Sequence, residues 1–152
     1  MTSSALRNPA VAGCGEIVQH AVAGPDLLAV VDLAAEAARR AGADAGGRLL
    51  ERVEVVASVA SFALRHPDPG RLVADRLGLS GVRTLQSWIG GNMPQYLLNE
   101  LGAEIAAGRL DVALIVGVEN LHSRKKGEGK AVAELDTPVG DPAPMVGDDR
   151  PG

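Results

Sequence analysis

Apolar residues come in four short runs separated by stretches of helical periodicity, and that alternation sets the expected architecture before any chemistry is considered. The first run, residues 11–19, contains Gly13 and Gly15 and is bounded by Gly24 and Pro25, which reads as a strand and its exit. Pro25 then opens a helix. Leu27, Val31, Ala34, Ala38 and Ala41 advance by four and three, and Gly42 stands where a helix C-terminus favours glycine, so the helix is predicted over residues 25–41. Residues 53–60 are β-branched and apolar on both parities, the pattern of a strand covered on both faces, and this argues for a parallel sheet.

His66-Pro67-Asp68-Pro69-Gly70 breaks the pattern, with Asp68 as N-cap and Pro69 as first residue of a short helix ending before Gly78. Val82 to Ser87 is the third predicted strand. The turn Ile89-Gly90-Gly91-Asn92 leads into a helix that Asn92 caps, with Leu97, Leu98, Leu101 and Ile105 inward and Gly108 ending it. Residues 112–116 form the fourth strand, again covered on both sides. Strands alternating with helices, joined by connections of crossover length, predict a three-layer α/β/α sheet, mainly parallel. The expected organisation is a disordered N-terminus over residues 1–10, an α/β domain over 11–118, and the start of a largely irregular loop region over 119–152, with prolines at 138, 142, 144 and 151.

Composition narrows the functional classes. The chain has 152 residues, enough for one domain with a real core, and 46% of them are hydrophobic while aromatics make up 2%, so the core must be built from Ala, Val and Leu. A formal net charge of −4 leaves no electrostatic footprint for nucleic acid or an anionic membrane. The single cysteine, Cys14, excludes an intramolecular disulfide framework, and no Cys/His spacing resembles a zinc site, so a reducing, cytoplasmic location is expected and no metal is. The N-terminus lacks the pattern of a signal peptide, and no apolar run approaches a membrane span.

One stretch carries more information. Ile105-Ala-Ala-Gly108-Arg-Leu-Asp111-Val, an apolar strand, and then Gly117-Val-Glu119 resembles the segment that follows the nucleophile helix of thiolases. The run from Asp68 to Leu79 and the Gly-Gly-Asn turn resemble a particular branch, the acetyl-CoA acetyltransferases or sterol-carrier-type thiolases. The resemblance covers residues 11–118 and implies the N-terminal half of an acyl-CoA acyltransferase, with a coenzyme A thioester as substrate and no bound cofactor.

In typical thiolases the nucleophilic cysteine sits at the N-terminus of the third helix, where the helix dipole and free backbone N–H groups favour thiolate and developing negative charge. Counting back from Gly108 with the thiolase spacing places Gly91 there, so no catalytic residue is assigned in this chain. The histidine- and cysteine-bearing second half of the thiolase pattern is also missing. The resemblance further implies a fifth strand, contributed after a long loop, that inserts between the fourth strand and the first, and this chain leaves that slot unfilled. A cropped, split or remnant chain is therefore expected.

Gly90, Gly91 and Asn92 are the candidate substrate-binding residues, as an oxyanion nest for a thioester carbonyl, weighed against an ordinary strand-to-helix turn. Gly13-Cys14-Gly15 is not a dinucleotide fingerprint, because Val18 occupies the third glycine position and no helix begins there. Cys14 reads as a small buried hydrophobe. Arg124, Lys125, Lys126 and Lys130 read as a solvated face with a competing role toward coenzyme A phosphates. His20, His66 and His122 lack partners at triad or metal spacing and read as surface residues, while Glu119 reads as a backbone bridge. The resemblance implies two associations: a homodimer through the third strand, Val82 to Ser87, or a complementary C-terminal half. The alternative to an acyltransferase part is a non-catalytic dimerisation or acyl-CoA-binding subunit.

Overall fold

Val55–Ser58 is the strand on which the fold is built: its four residues are buried on both faces, and it hydrogen-bonds to a parallel neighbour on each side. In the computed structural model, which describes residues 7–20, 27–121 and 141–147, this strand is β1. It follows the helix α1 (Val30–Asp44) and precedes α2 (Pro69–Leu77), β2 (Arg83–Ser87), α3 (Met93–Ala106), β3 (Ala113–Val116) and β4 (Met145–Val146). The sheet order is β3-β1-β2-β4, with every pair parallel.

The pleat of β1 divides the core in two. Val56 faces a cluster with Val30, Val31, Ala34 and Ala38 of α1, Val73 and Ala74 of α2, and Leu114 and Val116 of β3. Val55 and Ala57 face Leu97 and Leu101 of α3, with Leu110. Two helices therefore cover one face of the sheet and one covers the other, giving the three-layer α/β/α architecture expected. Small aliphatic side chains suffice because each helix packs directly on β-branched strand residues.

Helix α2 has the predicted ends. Asp68 Oδ1 accepts from the Arg71 N–H at 2.8 Å, Pro69 opens the helix, and Gly78 closes it in the left-handed region at φ 71°. The other Asp68 oxygen accepts from the Thr84 hydroxyl at 2.7 Å, so the cap also ties α2 to β2. Helix α1 keeps its predicted face, with Val31, Ala34 and Ala38 buried, but it runs on to Asp44; Leu27 is buried ahead of the helix. Gly42 lies within it and makes room for the Leu50 side chain, whose Cδ1 lies 2.5 Å from where a Cβ would be. The helix also starts later than predicted, since residues 27–29 are not helical and Ala29 is extended at φ −65°, ψ 156°; Pro25 itself lies outside the described residues.

Residues 11–19 are not a strand. They run as an irregular segment along α1, with Val11 and Val18 exposed, the Cys14 N–H bonded to Asp44 Oδ2 at 2.9 Å and the Arg40 guanidinium bonded to Glu16 O at 2.9 Å. Gly13 and Gly15 belong to this packing: a Cβ at Gly15 would stand 2.1 Å from the Ala37 carbonyl oxygen. Cys14 is accordingly exposed rather than buried. At its start the segment meets the end of α3, where the Arg7 N–H reaches Ala106 O and its guanidinium pairs with Asp111.

This changes the expected sheet. The segment predicted as the first strand does not enter it, so the slot expected between that strand and the fourth has no second wall; β1 and β3 pair directly, Val55 with Ala113 through Ser58 with Val116, and β3 is an edge of the sheet among the described residues. The strand that follows the long connection, β4, sits at the opposite edge against β2. Its two residues fall in the stretch expected to be irregular, where flanking prolines hide so short a strand from any periodicity argument.

Two neighbouring leucines on α3 test the layer assignment. Both were expected inward, but Leu97 is fully buried and Leu98 is 43% exposed. Leu97→Ala should lower the unfolding free energy by about 2–5 kcal/mol, and Leu98→Ala by less than about 0.5 kcal/mol, in urea titrations of the two variants. Equal losses would mean that α3 packs by another face. Asp68→Ala removes a helix cap and should cost about 1–2 kcal/mol by the same measurement.

Candidate functional site

The carboxyl ends of the strands gather the loops that follow β1, β2 and β3 on one edge of the sheet, the position where open α/β sheets bind ligands. The turn of interest joins β2 to α3. Ser87, at the end of β2, is fully buried and donates through its hydroxyl to Trp88 O at 3.0 Å. Trp88 and Ile89 then emerge toward solvent, 39% and 52% exposed, before the chain reverses through Gly90, Gly91 and Asn92.

Helix geometry decides what this turn offers. Asn92 was expected to cap α3, but its backbone is already helical (φ −87°, ψ −11°) and its side chain makes no capping bond. The Met93 N–H bonds to Gly90 O at 3.0 Å and the Tyr96 N–H to Asn92 O at 3.0 Å. Pro94 carries no N–H, which leaves Gln95 as the remaining residue in the first turn of α3 with a backbone donor. Neither Gly90 nor Gly91 has positive φ, so the turn is not an alternating left-handed nest.

Gly91 is exposed, and a Cβ built there meets nothing within 4 Å. Space and backbone both permit a side chain at this position, so glycine is not required by the fold. Gly90 is tighter, with the Asn92 Oδ1 at 2.8 Å from its would-be Cβ and Met93 Cγ at 3.4 Å. On the far side of the turn stands Gly147, just after β4, whose would-be Cβ lies within 3.3–3.7 Å of Met93, Trp88 and Tyr96.

The adjoining loops are held by polar contacts. Glu119 Oε2 accepts from the Phe62 N–H at 3.0 Å, joining the loops after β1 and β3, which is the backbone-bridging role expected of it. Ser61 Oγ accepts from the N–H groups of Ala63 and Leu64 at 3.1 and 2.9 Å. His66, expected on the surface, is buried at 6% exposure because the proline-flanked loop turns it inward, and its Nδ1 accepts from the Asp68 N–H at 3.1 Å. That bond assigns the proton of the neutral ring to Nε2, which is buried without a partner, as is the Asn120 Nδ2.

No general base reaches the Gly90–Asn92 turn among the hydrogen bonds of the described residues. His20 lies exposed in the segment along α1, and Cys14 sits by the C-terminus of α1, which by strand order is the opposite end of the sheet. The Glu104 carboxyl is held below its ordinary value by a hydrogen bond from Arg109, and both groups are exposed at the far end of α3 from the turn. His122 and the basic group Arg124, Lys125, Lys126 and Lys130 lie outside the described residues. No cluster of three or more His, Cys, Asp or Glu suited to a metal ion occurs among the described residues, and no described helix is long and apolar enough to cross a membrane.

No protein-family model matches the chain, and no curated protein does. Solved structures do. A monomeric SCP2-thiolase-like protein of type 1 from Mycobacterium smegmatis superposes with a TM-score of 0.58 at 31% identity, over 70% of this chain and 22% of that one. OleA from Xanthomonas campestris, solved with lauric acid and lauroyl-CoA, gives 0.57 at 21% identity over 76% of this chain and 34% of its own. The priming β-ketosynthase of a polyketide biosynthetic pathway gives 0.53 at 23% identity, over 64% and 29%. The chain thus spans between about a fifth and a third of the length of these proteins. With its parallel sheet between two helix layers and these likenesses, the chain belongs to the thiolase-like superfamily by fold.

Proposed function

We propose that this chain is the N-terminal part of an acyl-CoA acyltransferase of thiolase type, of the acetyl-CoA C-acetyltransferase kind, and that it supplies a wall of the acyl-CoA pocket without the attacking group. The observation that carries this reading is Gly91. It stands two residues before α3, in the position where the resemblance places a nucleophilic cysteine, and the space for a side chain is empty.

The chemistry follows from what the turn holds. Cleaving or joining a 3-ketoacyl-CoA through an acyl-enzyme requires a thiolate that attacks the thioester carbonyl carbon and expels coenzyme A. Glycine has nothing to attack with. The backbone N–H groups of Gly91, Asn92 and Gln95 and the positive end of the α3 dipole can still polarise a carbonyl oxygen placed against them. The missing thiolate and its base must come from a complementary C-terminal half. We place the protein in the cytoplasm, where a lone cysteine stays reduced.

A second reading, a non-catalytic subunit that dimerises through its sheet edge, is favoured by one observation. Among the described residues, the outer edge of β2 has no strand against it at Thr84.

Two measurements test the first reading. Thioester cleavage and acetyl-CoA exchange by this chain alone should stay at background; clear turnover would show that the attacking group has been overlooked. Gly91→Cys on a Cys14→Ser background should fold with a melting temperature within about 2 °C of the parent, since the site is open. Its thiol should be alkylated by iodoacetamide with a pH midpoint below the usual ~8.5 of free cysteine, because the helix N-terminus favours thiolate. A midpoint at or above that value would remove the turn as a nucleophile site.

A further inference from the structure

The parity of β2 shows which groups face its outer edge. The Arg83 N–H bonds to Glu54 O on the β1 side, so Val82, Thr84 and Gln86 point their backbone groups the other way. Each meets a different fate. The Val82 carbonyl accepts from the Arg71 guanidinium at 2.8 Å, and the Gln86 N–H donates to Pro144 O at 2.9 Å. Thr84 between them faces a groove of about 640 Å³, walled by Arg71, Arg83 and Leu85 on one side and by Pro142 and Pro144 on the other.

The segment that covers this edge is short and held at few points. Only Met145 and Val146 join the ladder, opposite Gln86 and Ser87. Ala143 is buried and donates to Pro67 O at 3.0 Å, and Val146 packs on the α3 side of the core. Pro142 and Pro144 have no N–H, so the covering segment does not itself offer a regular edge for a further strand.

We infer that residues 141–146 form an intramolecular cap on the outer edge of β2, and that this cap and a second copy of the chain exclude each other from that edge. The inference rests on the reading of β2 as a self-association edge. An antiparallel pair of β2 strands centred on Thr84 matches Thr84 with its copy, Val82 with Gln86, and Arg83 with Leu85, so no arginine faces its like. That pairing uses the outward groups of Val82, Thr84 and Gln86. Gln86 is already taken by Pro144, so the strand of a second copy cannot seat until residues 141–146 leave.

The test follows the cap and the assembly separately. Amide exchange reads the Gln86 N–H, and light scattering reads mass. The wild-type chain should be monomeric at 15.6 kDa with the Gln86 amide protected. Ala143→Arg, which cannot bury its side chain, should speed Gln86 exchange by at least about tenfold and double the mass at the same concentration. Adding Thr84→Lys, which sets two lysines face to face, should restore the monomer. A Gln86→Cys/Met145→Cys pair on a Cys14→Ser background should lock the cap when oxidised, staying monomeric at concentrations where the reduced form dimerises. This arm holds even if Ala143→Arg fails to fold. A wild-type dimer with Gln86 protected, or a locked chain that still dimerises, overturns the cap. Fast Gln86 exchange in a chain that stays monomeric overturns the exclusion through failure of the association reading, because release of the cap has then been seen directly.

Discussion

Val55, Val56, Ala57 and Ser58 are hidden on both faces and paired on both edges, and the rest of the chain is arranged so that they can be. A strand in that position cannot leave a backbone group unpaired or a face uncovered without a cost comparable to the stability of a small domain. It therefore requires β2 and β3 beside it, α1 and α2 above it and α3 below it. The chain meets this requirement with small aliphatic residues, and pairing with β2 and β3 closes both edges of β1.

Closing the sheet moves the exposed features to its margins. Residues 7–20 pack on helices through two glycines whose lack of a Cβ allows backbone-to-backbone approach. The outer edge of β2 receives a two-residue strand instead of a full neighbour. The carboxyl ends of the strands carry Phe62, Trp88 and Ile89, two of them aromatic in a chain with one each of Phe, Trp and Tyr. Two of the three aromatics are therefore exposed at the carboxyl end of the sheet and contribute little to the core.

Glycine at position 91 acquires its meaning from this placement. In an isolated sequence it is one of nineteen glycines. In the fold it lies in the turn between β2 and α3, exposed and with room for a side chain.

Element type was legible from the chain wherever a local rule sufficed. Asp68-Pro69 and Gly78 marked both ends of α2, because a cap, a fixed φ and a left-handed residue are properties of a few consecutive positions. The apolar run around β1 announced a strand covered on both faces, and the string from Ile105 to Glu119 pointed to the superfamily. The tertiary structure decided what depends on partners distant in sequence. Residues 11–19 have strand-like composition, yet Gly13 and Gly15 let their backbone lie directly along α1 instead of in the sheet. Leu98 has the same side chain as Leu97 but falls outside the arc that α3 presents to β1. His66 is drawn inward by its bond from the Asp68 N–H, and Asn92 yields its capping role because its backbone already turns with the helix. Strand β4 exists only because β2 has an unfilled edge. Local preference is written in neighbouring residues, whereas edges, faces and burial are shared between segments far apart in the chain, and only the folded arrangement assigns them.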